Sequence, residues 1–307
     1  MIGADVAHAA ALLRRGNVVA IPTETVYGLA GNALNEASVT QIFTVKQRPS
    51  FDPLIVHIHN LSQLNDLVAE FPEQAKKLGD RFWPGPLTLI LPKKEIIPDL
   101  VTSGLPFVGI RMPRHPLTRE LLQKLSFPLA APSANPFTYV SPTTAQHVED
   151  QLGDKIPYIL DGGACEVGLE STIVSFAESK PKVLRFGGIS KERIEEIIGP
   201  VDEQISSSNP VAPGQMDKHY ATSKKLQIVS TPRELMDCHG CFTIGYGEGD
   251  FEYNLSPTSN LEEMARNVFA ALRLADESDA SLISVCLAPE EGLGRAINDR
   301  LRRASTR

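Results

Sequence analysis

The amino-acid sequence predicts an α/β protein with one large twisted mixed sheet and a small, doubly wound (Rossmann-like) domain at the C-terminal end. Two observations carry this prediction. Short apolar runs with the length of strands alternate with amphipathic segments that have the period of a helix. Near residue 199 the composition changes, and a stretch rich in Ser and Pro separates two parts whose elements are spaced differently.

The first part begins with a predicted helix over residues 4–15, whose apolar residues recur every three to four positions and which stops at Gly16. A strand at 17–21 and a helix at 36–46 follow. Further strands are predicted at 54–59, 87–91, 107–111, 129–131, 158–161, 172–175 and 183–185, and further helices at 117–125, 143–152 and 190–198. These helices are spaced too irregularly for a plain βαβ repeat, which favours one mixed sheet.

The second part shows a regular alternation of strands and helices. Strands are predicted at 226–230, 241–246 and 281–286, and helices at 232–237, 261–276 and 292–304. This order is typical of a small doubly wound domain. We therefore expect a main domain at 1–200, a linker at 201–222 and a C-terminal α/β domain at 223–307.

Composition and charge argue against several classes of protein. Among the 307 residues, 42% are hydrophobic and 22% are charged, which is ordinary for a globular chain. No apolar run approaches the roughly 18 residues that a membrane-spanning helix needs, so no contact with a membrane is expected. The net charge of −7 disfavours a protein whose main task is to grip nucleic acid. Because no signal-peptide pattern opens the chain, a cytoplasmic location is expected.

Common catalytic and metal-binding motifs are missing from the sequence. It contains no P-loop, no GxGxxG fingerprint, no HExxH and no GxSxG. The four cysteines are too few for a disulfide framework. Cys238 and Cys241 form a lone CxxC pair, which we interpret as two incidental thiols, with a redox role or adventitious metal binding as the alternative. No metal site of the protein itself is predicted.

Three polar clusters offer chemistry, and each also has a purely structural explanation. Residues 22–29 follow a strand and could hold a polar small molecule, or could simply cap a helix. Lys46 and Arg48 could bind phosphates or complement a helix dipole. The segment from Ser133 to Asn135 could line a nucleotide or form a turn.

Taken together, the clusters indicate a site for an anionic nucleotide and a small polar acid. Arg111 and Arg185 add two positive charges to the Lys46–Arg48 pair. No side chain has the surroundings of a covalent nucleophile. This combination suits phosphoryl or nucleotidyl transfer, in which positioning and charge neutralisation carry the catalysis.

The same motifs resemble those of the YrdC-like family. The resemblance rests on Pro-Thr-Glu-Thr-Val-Tyr-Gly-Leu at 22–29, Lys46-x-Arg48, Ser133-x-Asn135, Gly-Leu-Glu-Ser-Thr-Ile-Val at 168–174 and Arg-Phe-Gly-Gly at 185–188. The segments 212–220 and 291–301 resemble the linker and last helix of the long-form threonylcarbamoyl-AMP synthases. The similarity covers nearly the whole chain in order, although residues 216–218 and Thr222 match the linker pattern poorly.

The resemblance implies a reaction. L-threonine and bicarbonate would form a carbamate whose carboxylate attacks the α-phosphate of ATP, so that threonylcarbamoyl-AMP forms and pyrophosphate leaves. Mg²⁺ is expected with ATP, held mainly by phosphate oxygens and water. A separate tRNA threonylcarbamoyl transferase would take the product for tRNA modification. The enzyme itself would not need to bind nucleic acid stably.

The resemblance also implies roles for individual residues. Lys46 and Arg48 would be catalytic. The residues expected to hold L-threonine are Thr25, His57, Arg111, Ala131 and Ser171. Those expected at the ATP site are Lys46, Arg48, Asp52, Phe107, Ser133, Asn135, Ser141, Arg185, His219 and Tyr220, with the last two reaching over the nucleotide from the linker.

Two other functions remain as alternatives at this point. One is a carbamoyl-adenylate former like the related domain of hydrogenase-maturation carbamoyltransferases, which carry acylphosphatase-like and zinc-finger segments. The single CxxC pair and the length of the chain argue against it. The other is a module that binds double-stranded RNA through a basic concave face, which the net charge of −7 disfavours.

Overall fold

The computed structural model describes residues 1–205, 212–214, 220–236, 238 and 240–306. Two sheets organise these residues, one of eleven strands and one of four. The predicted fold class, a large mixed sheet with a second small α/β unit, is confirmed. Among the described helices, none is both long and apolar enough to cross a membrane.

The larger sheet is built from strands of the first part of the chain. They are β1 (Ile2–Gly3), β2 (Val19–Ile21), β3 (Gly28–Asn32), β4 (Ile55–His57), β5 (Leu87–Pro92), β6 (Phe107–Arg111), β7 (Leu129–Ala130), β8 (Ile159–Leu160), β9 (Thr172–Ser175), β10 (Lys182–Arg185) and β11 (Asp202–Glu203). Their order is β1-β8-β2-β3-β7-β4-β6-β5-β9-β10-β11. Parallel and antiparallel pairs alternate irregularly, as the uneven helix spacing predicts.

The helices of this part lie between the strands. They are α1 (Val6–Arg14), α2 (Glu36–Lys46), α3 (Leu64–Leu67), α4 (Glu73–Phe82), α5 (Asp99–Thr102), α6 (Pro116–Gln123), α7 (Ala145–Leu152) and α8 (Lys191–Ile198), with 3₁₀ turns at Leu61–Gln63 and Gly153–Lys155. Helix α2 shows why such a segment folds where it does. The Asn35 side chain accepts a hydrogen bond from the backbone N–H of Ser38 at the first turn. Gln47 ends the helix in the left-handed region, with φ of 53°.

Strand register brings the predicted site residues to neighbouring strand ends. In the parallel pair of β4 and β6, His57 lies opposite Arg111. In the antiparallel pair of β9 and β10, Arg185 lies opposite Ile173, after a register shift that follows Val183. Because these strands are adjacent or nearly adjacent in one sheet, their ends form one edge of a common site.

The C-terminal unit is a doubly wound sheet, as predicted. Its elements are β12 (Lys225–Val229), α9 (Pro232–Met236), β13 (Cys241–Gly245), β14 (Tyr253–Asn254), α10 (Leu261–Glu277), β15 (Leu282–Cys286) and α11 (Gly294–Ser305). The strands run parallel in the order β12-β15-β13-β14. Helix α10 buries an apolar stripe that includes Val268, Phe269 and Leu272.

Besides the short elements β1, α3, α5 and β14, which were not predicted, the structure differs from the sequence-based expectations in four places. Strand β3 lies where part of a loop was expected. Its glycines disfavour a strand by propensity, but the strand packs tightly against α2, and a Cβ at Gly31 would lie only 3.2 Å from the Ile42 side chain. Helix α4 was not predicted, since only a few apolar positions mark its polar sequence. Strand β11 lies within the predicted linker and pairs with β10. Cys238 and Cys241 are joined by a disulfide, which corrects the interpretation as two incidental thiols.

The two units share an apolar core. Val26, Val140 and Leu169 of the first part belong to the same buried cluster as Phe269 and Leu301 of the second. At Gly168, whose φ is +74°, the backbones approach so closely that a Cβ would lie 2.4 Å from the Cα of Arg266 in α10. Glycine is therefore required at this position for two reasons, the backbone conformation and the lack of space.

We expect Gly168→Ala to loosen the contact between the two units. The matched control is Gly163→Ala, because Gly163 also has a positive φ (+80°) but faces open space. Both variants carry the strain of alanine at positive φ, about 1–2 kcal/mol, and only Gly168→Ala also forces α10 to move. We expect its melting temperature to lie at least about 5 °C below that of the control, together with faster proteolysis between the units. Equal melting temperatures would contradict this account of the contact.

Candidate functional site

A cavity opens at the strand ends and contains many of the predicted site residues. Its lining residues are Val26, Arg48, Ile55, His57, Arg111, Ala131, Pro132, Ser133, Glu170, Arg185, Pro213, Gly214 and Tyr220. Three arginines, from the loop after α2 and from the ends of β6 and β10, thus converge on one space. This convergence supports the nucleotide-site hypothesis, which required that these charges not be scattered over the surface.

Arg48 is anchored within the loop that follows α2. Its guanidinium donates from Nε to the carbonyl oxygen of Asp52 (3.1 Å) and from Nη2 to that of Pro53 (2.9 Å). It also forms an ion pair with the Asp52 carboxylate (2.9 Å), and both side chains are almost completely buried. Burial raises the pKa of Asp52, although Arg48 and Lys46 act in the opposite direction. The loop therefore presents a fixed guanidinium to the cavity.

Lys46 contacts the segment from Ser133 to Asn135. Its Nζ donates to the carbonyl oxygens of Ser133 and Asn135, each at 2.5 Å. Burial and the neighbouring Arg48 hold the pKa of Lys46 well below its usual value. The geometry makes Lys46 a support for this wall of the site.

Arg111 and His57 lie side by side at the ends of β6 and β4. Arg111 donates from Nη2 to Oε1 of Glu24 at 2.7 Å, and the other carboxylate oxygen of Glu24 accepts from the backbone N–H of Arg114. Burial raises the pKa of Glu24, but the charge of Arg111 and the hydrogen bonds that the carboxylate accepts together lower it more. The net pKa is therefore lowered, and the carboxylate stays charged. Burial and Arg111 lower the pKa of His57 to about 3, so its imidazole is neutral at physiological pH.

Arg185 connects the sheet to the linker. Its Nε and Nη2 donate to the carbonyl oxygen and the hydroxyl of Ser171, both at 3.0 Å, and its Nη1 donates to the carbonyl oxygen of Pro213 at 3.3 Å. The Ser171 hydroxyl also lies 2.7 Å from the Thr88 hydroxyl. Burial lowers the pKa of Arg185 to about 10, which leaves it cationic at neutral pH.

Glu170 is a lining residue to which sequence reasoning gave no role. Its Oε1 accepts a hydrogen bond from the Ser141 hydroxyl at 2.7 Å, and its Oε2 accepts two from Arg300 of α11, at 3.1 and 3.0 Å. Glu24 belongs to the cluster at 22–29, which the sequence offers as a site for a polar small molecule, but its pairing with Arg111 was not predicted. Glu170 lies within the quoted motif at 168–174, which was the signal in the sequence that could have pointed to it.

Among the remaining predicted residues, Tyr220 lines the cavity, whereas Thr25, Asn135 and Phe107 are not lining residues. Thr25 is buried, and its hydroxyl lies 2.8 Å from that of Thr23. Asn135 donates to the carbonyl oxygens of Pro136 and Tyr139. Phe107 packs against an apolar cluster that includes Ala212 of the linker. Tyr220 is buried and stacks on Phe269, whereas His219 lies outside the described residues.

Comparison with known proteins accounts for nearly the whole chain. A family model described as telomere recombination matches residues 11–187, and one described as threonylcarbamoyl-AMP synthase, C-terminal domain, matches residues 189–306. A threonylcarbamoyl-AMP synthase of Pyrococcus abyssi is 42% identical over 97% of this chain and 93% of its own length. The chain belongs to the threonylcarbamoyl-AMP synthase family. A Bacillus subtilis protein of the same name is 44% identical over 98% of this chain and 93% of its own length.

Solved structures agree with this assignment. The crystal structure of P. abyssi Sua5 complexed with L-threonine superimposes with a TM-score of 0.93 at 40% identity, covering 98% of this chain and 94% of that one. Full-length HypF in a phosphate- and nucleotide-bound form has a TM-score of 0.54 at 20% identity, covering 60% of this chain and 29% of that chain. At this low identity, the similarity to HypF shows only that the two proteins share a fold.

The depressed pKa of His57 predicts acid sensitivity of the fold. An unfolded histidine has a pKa of about 6.5, and the folded value is about 3. The unfolded chain therefore binds the proton first, and stability falls as the pH drops below about 6.5, by up to about 1.4 kcal/mol per pH unit. Denaturant unfolding of the wild type and His57→Asn at pH 7 and pH 5 tests this. The wild type should lose about 2 kcal/mol more than the variant, and equal losses would show that His57 is not buried in its neutral form.

Proposed function

We propose that this chain is a threonylcarbamoyl-AMP synthase that makes threonylcarbamoyl-AMP and pyrophosphate from L-threonine, bicarbonate and ATP. The observation that carries the proposal is the convergence of Arg48, Arg111 and Arg185 on one cavity, in a chain that matches an enzyme of that name over 97% of its length. The charges of these three arginines suit substrates that carry a triphosphate and a carboxylate.

L-threonine would bind at the end of the cavity that Arg111 and His57 form, with Thr25, Ala131 and Ser171 around it. The Nε of Arg111 is buried without a hydrogen-bond partner among the described residues. It would donate to the threonine carboxylate while Nη2 stays bound to Glu24. A neutral His57 adds no further positive charge beside the carbamate as it forms.

ATP would lie along the other side, against Arg48, Asp52, Phe107, Ser133, Asn135, Ser141 and Arg185. A carbamate oxygen attacks the α-phosphorus, the bond from that phosphorus to the bridging oxygen breaks, and pyrophosphate departs. The protein supplies positions and positive charge. Arg48 and Arg185 would neutralise the phosphates, and Lys46 would hold the wall of Ser133 and Asn135 in place. In this proposal Lys46 supports the wall of the site, and Arg48 is the residue that contacts the nucleotide.

Mg²⁺ would enter with ATP and neutralise part of the charge on the leaving pyrophosphate. The charged side chains at the cavity fit the phosphates better than the ion, since they are mainly arginines and the lining carboxylate of Glu170 is bound by Arg300. The ligands of the ion would accordingly be phosphate oxygens and water.

The product would pass to a separate tRNA threonylcarbamoyl transferase in the cytoplasm. An enzyme that supplies a small intermediate has no need of a basic surface, in keeping with the net charge of −7.

The domain division at 1–200, 201–222 and 223–307 belongs to the same proposal. Pro213 and Gly214 line the cavity, as does Tyr220, which supports a linker that reaches over the bound nucleotide. His219 would take part there as well.

The direct test is an assay of pyrophosphate release from ATP with L-threonine and bicarbonate omitted in turn. Release should require both compounds, because the carbamate is the nucleophile. Mass spectrometry should detect threonylcarbamoyl-AMP as the product. Release that is independent of both compounds would refute the proposal.

Arg111→Lys should weaken threonine binding. A lysine keeps the charge but cannot bind Glu24 and a carboxylate in two fixed directions. One charge-assisted hydrogen bond contributes about 1.5–3 kcal/mol, so we expect the KM for threonine to rise at least about tenfold. The control is Arg114→Lys, whose side chain is half-exposed and pairs with the exposed Glu166. If both variants have the same KM for threonine, Arg111 does not bind the substrate.

A further inference from the structure

Two buried arginines of the C-terminal unit reach across to the first part of the chain, Arg273 to the loop that carries Ser141 and Arg300 to Glu170. Arg300 comes from α11 and Arg273 from α10, and the two are 0% and 3% exposed. We infer that Arg300 and Arg273 are positioning residues: Arg300 fixes Glu170 on the nucleotide side of the catalytic cavity, and Arg273 fixes the loop of Ser141, whose hydroxyl binds Glu170. The inference rests on the proposed function and assigns a part in it to the C-terminal unit.

Arg300 acts on the site through Glu170. Its Nε and Nη2 both donate to Oε2 of Glu170, at 3.1 and 3.0 Å, while Nη1 donates to Asp299 at 2.9 Å. Glu170 is 5% exposed and lines the cavity. The guanidinium also lies over the ring of Tyr220, 5.3 Å from its centroid. The planar guanidinium therefore fixes the direction of the Glu170 carboxylate, which a single ammonium group could not do.

The second oxygen of Glu170 fixes the Ser141 hydroxyl. Ser141 donates its proton to Oε1 at 2.7 Å and is itself completely buried. Since that proton is committed, the free lone pairs of the hydroxyl can only accept a hydrogen bond.

Arg273 holds the same loop by its backbone. Its Nη2 donates to the carbonyl oxygen of Val140 and to Gln151 (3.0 Å), and its Nε donates to the carbonyl oxygen of Ser141 at 3.4 Å. The guanidinium lies over the ring of Tyr139, 5.3 Å from its centroid. The Tyr139 hydroxyl in turn donates to Asp276 of α10 at 2.7 Å. Helix α10 thus orients the backbone of the loop, and α11 orients its hydroxyl.

The decisive variant is Arg300→Lys in the full-length chain. It keeps the positive charge beside Glu170 and so avoids leaving an uncompensated buried carboxylate. We expect the KM for ATP to rise at least about tenfold, since one or more charge-assisted hydrogen bonds are lost. The KM for threonine should change less than about twofold, because Arg111, which would bind its carboxylate, is held by Glu24 at the end of β6. The matched control is Arg302→Lys, two residues along the same helix, which is exposed and pairs with the exposed Glu290.

Two further measurements separate positioning from a general loss of structure. The shift of the melting temperature on adding threonine should persist in Arg300→Lys, which shows that the threonine side remains folded. The double variant Arg300→Lys with Glu170→Gln should bind ATP no more weakly than the weaker single variant, because both substitutions break the same connection. Equal rises in the KM of both substrates with a lower melting temperature would indicate a merely structural role and overturn the inference.

Calorimetric titration with ATP distinguishes failure of this inference from failure of the proposed function. A wild type that makes threonylcarbamoyl-AMP, with an Arg300→Lys variant of unchanged ATP affinity, overturns the positioning role alone. A wild type that binds ATP without making the product overturns the proposed activity, and weaker ATP binding by the variant still supports the positioning role. If the wild type does not bind ATP, both are overturned.

Discussion

The site depends on keeping several arginine charges inside the protein. Guanidinium groups lose much of their hydration when buried, and the loss is offset only if each finds a partner of good geometry. The chain supplies such partners for Arg111 in Glu24 and for Arg300 in Glu170, at 2.7 and 3.0 Å. Arg48 lies 2.9 Å from Asp52, whose carboxylate oxygens make no hydrogen bond among the described residues. Arg185 is bound differently, by the hydroxyl and carbonyl of Ser171 and the carbonyl of Pro213. In these contacts its charge, like that of Arg273, is held by neutral acceptors.

This arrangement gives the second domain a physical part in the site. The apolar cluster that contains Phe269 and Leu301 also contains Val26 and Leu169, which flank Glu24 and Glu170. Gly168 lets α10, which carries Arg273, approach the backbone of the first part closely, and Arg300 of α11 crosses between the units to Glu170. An enzyme that works by positioning needs donors and acceptors that do not reorganise during the reaction. Packing between the two units provides that rigidity at the nucleotide side.

Much of the fold could be read from local patterns, and the site only in part. The sequence predicted α2, β6 and β9 with the bounds that the structure shows, because each has a clear period and a marked end. It missed β3, where tight packing against α2 overrides the poor strand propensity of glycine. It placed Arg48, His57, Arg111 and Arg185 in one site on motif and charge alone. The partners of these residues lie far away in the chain, as Glu24 lies 87 residues from Arg111, and no local pattern reveals such a pairing.

Lys46 and Glu170 show how the folded surroundings change what a residue type suggests. A lysine beside an arginine suggests two phosphate ligands, and an isolated glutamate suggests nothing. Once folded, Lys46 donates to two carbonyl oxygens, and burial holds its pKa well below the usual value. Glu170 is paired with Arg300 at the edge of the cavity, and its other oxygen accepts a hydrogen bond from the Ser141 hydroxyl. Burial and the identity of the nearest partner, more than residue type, thus decide which groups present charge or direction to a ligand.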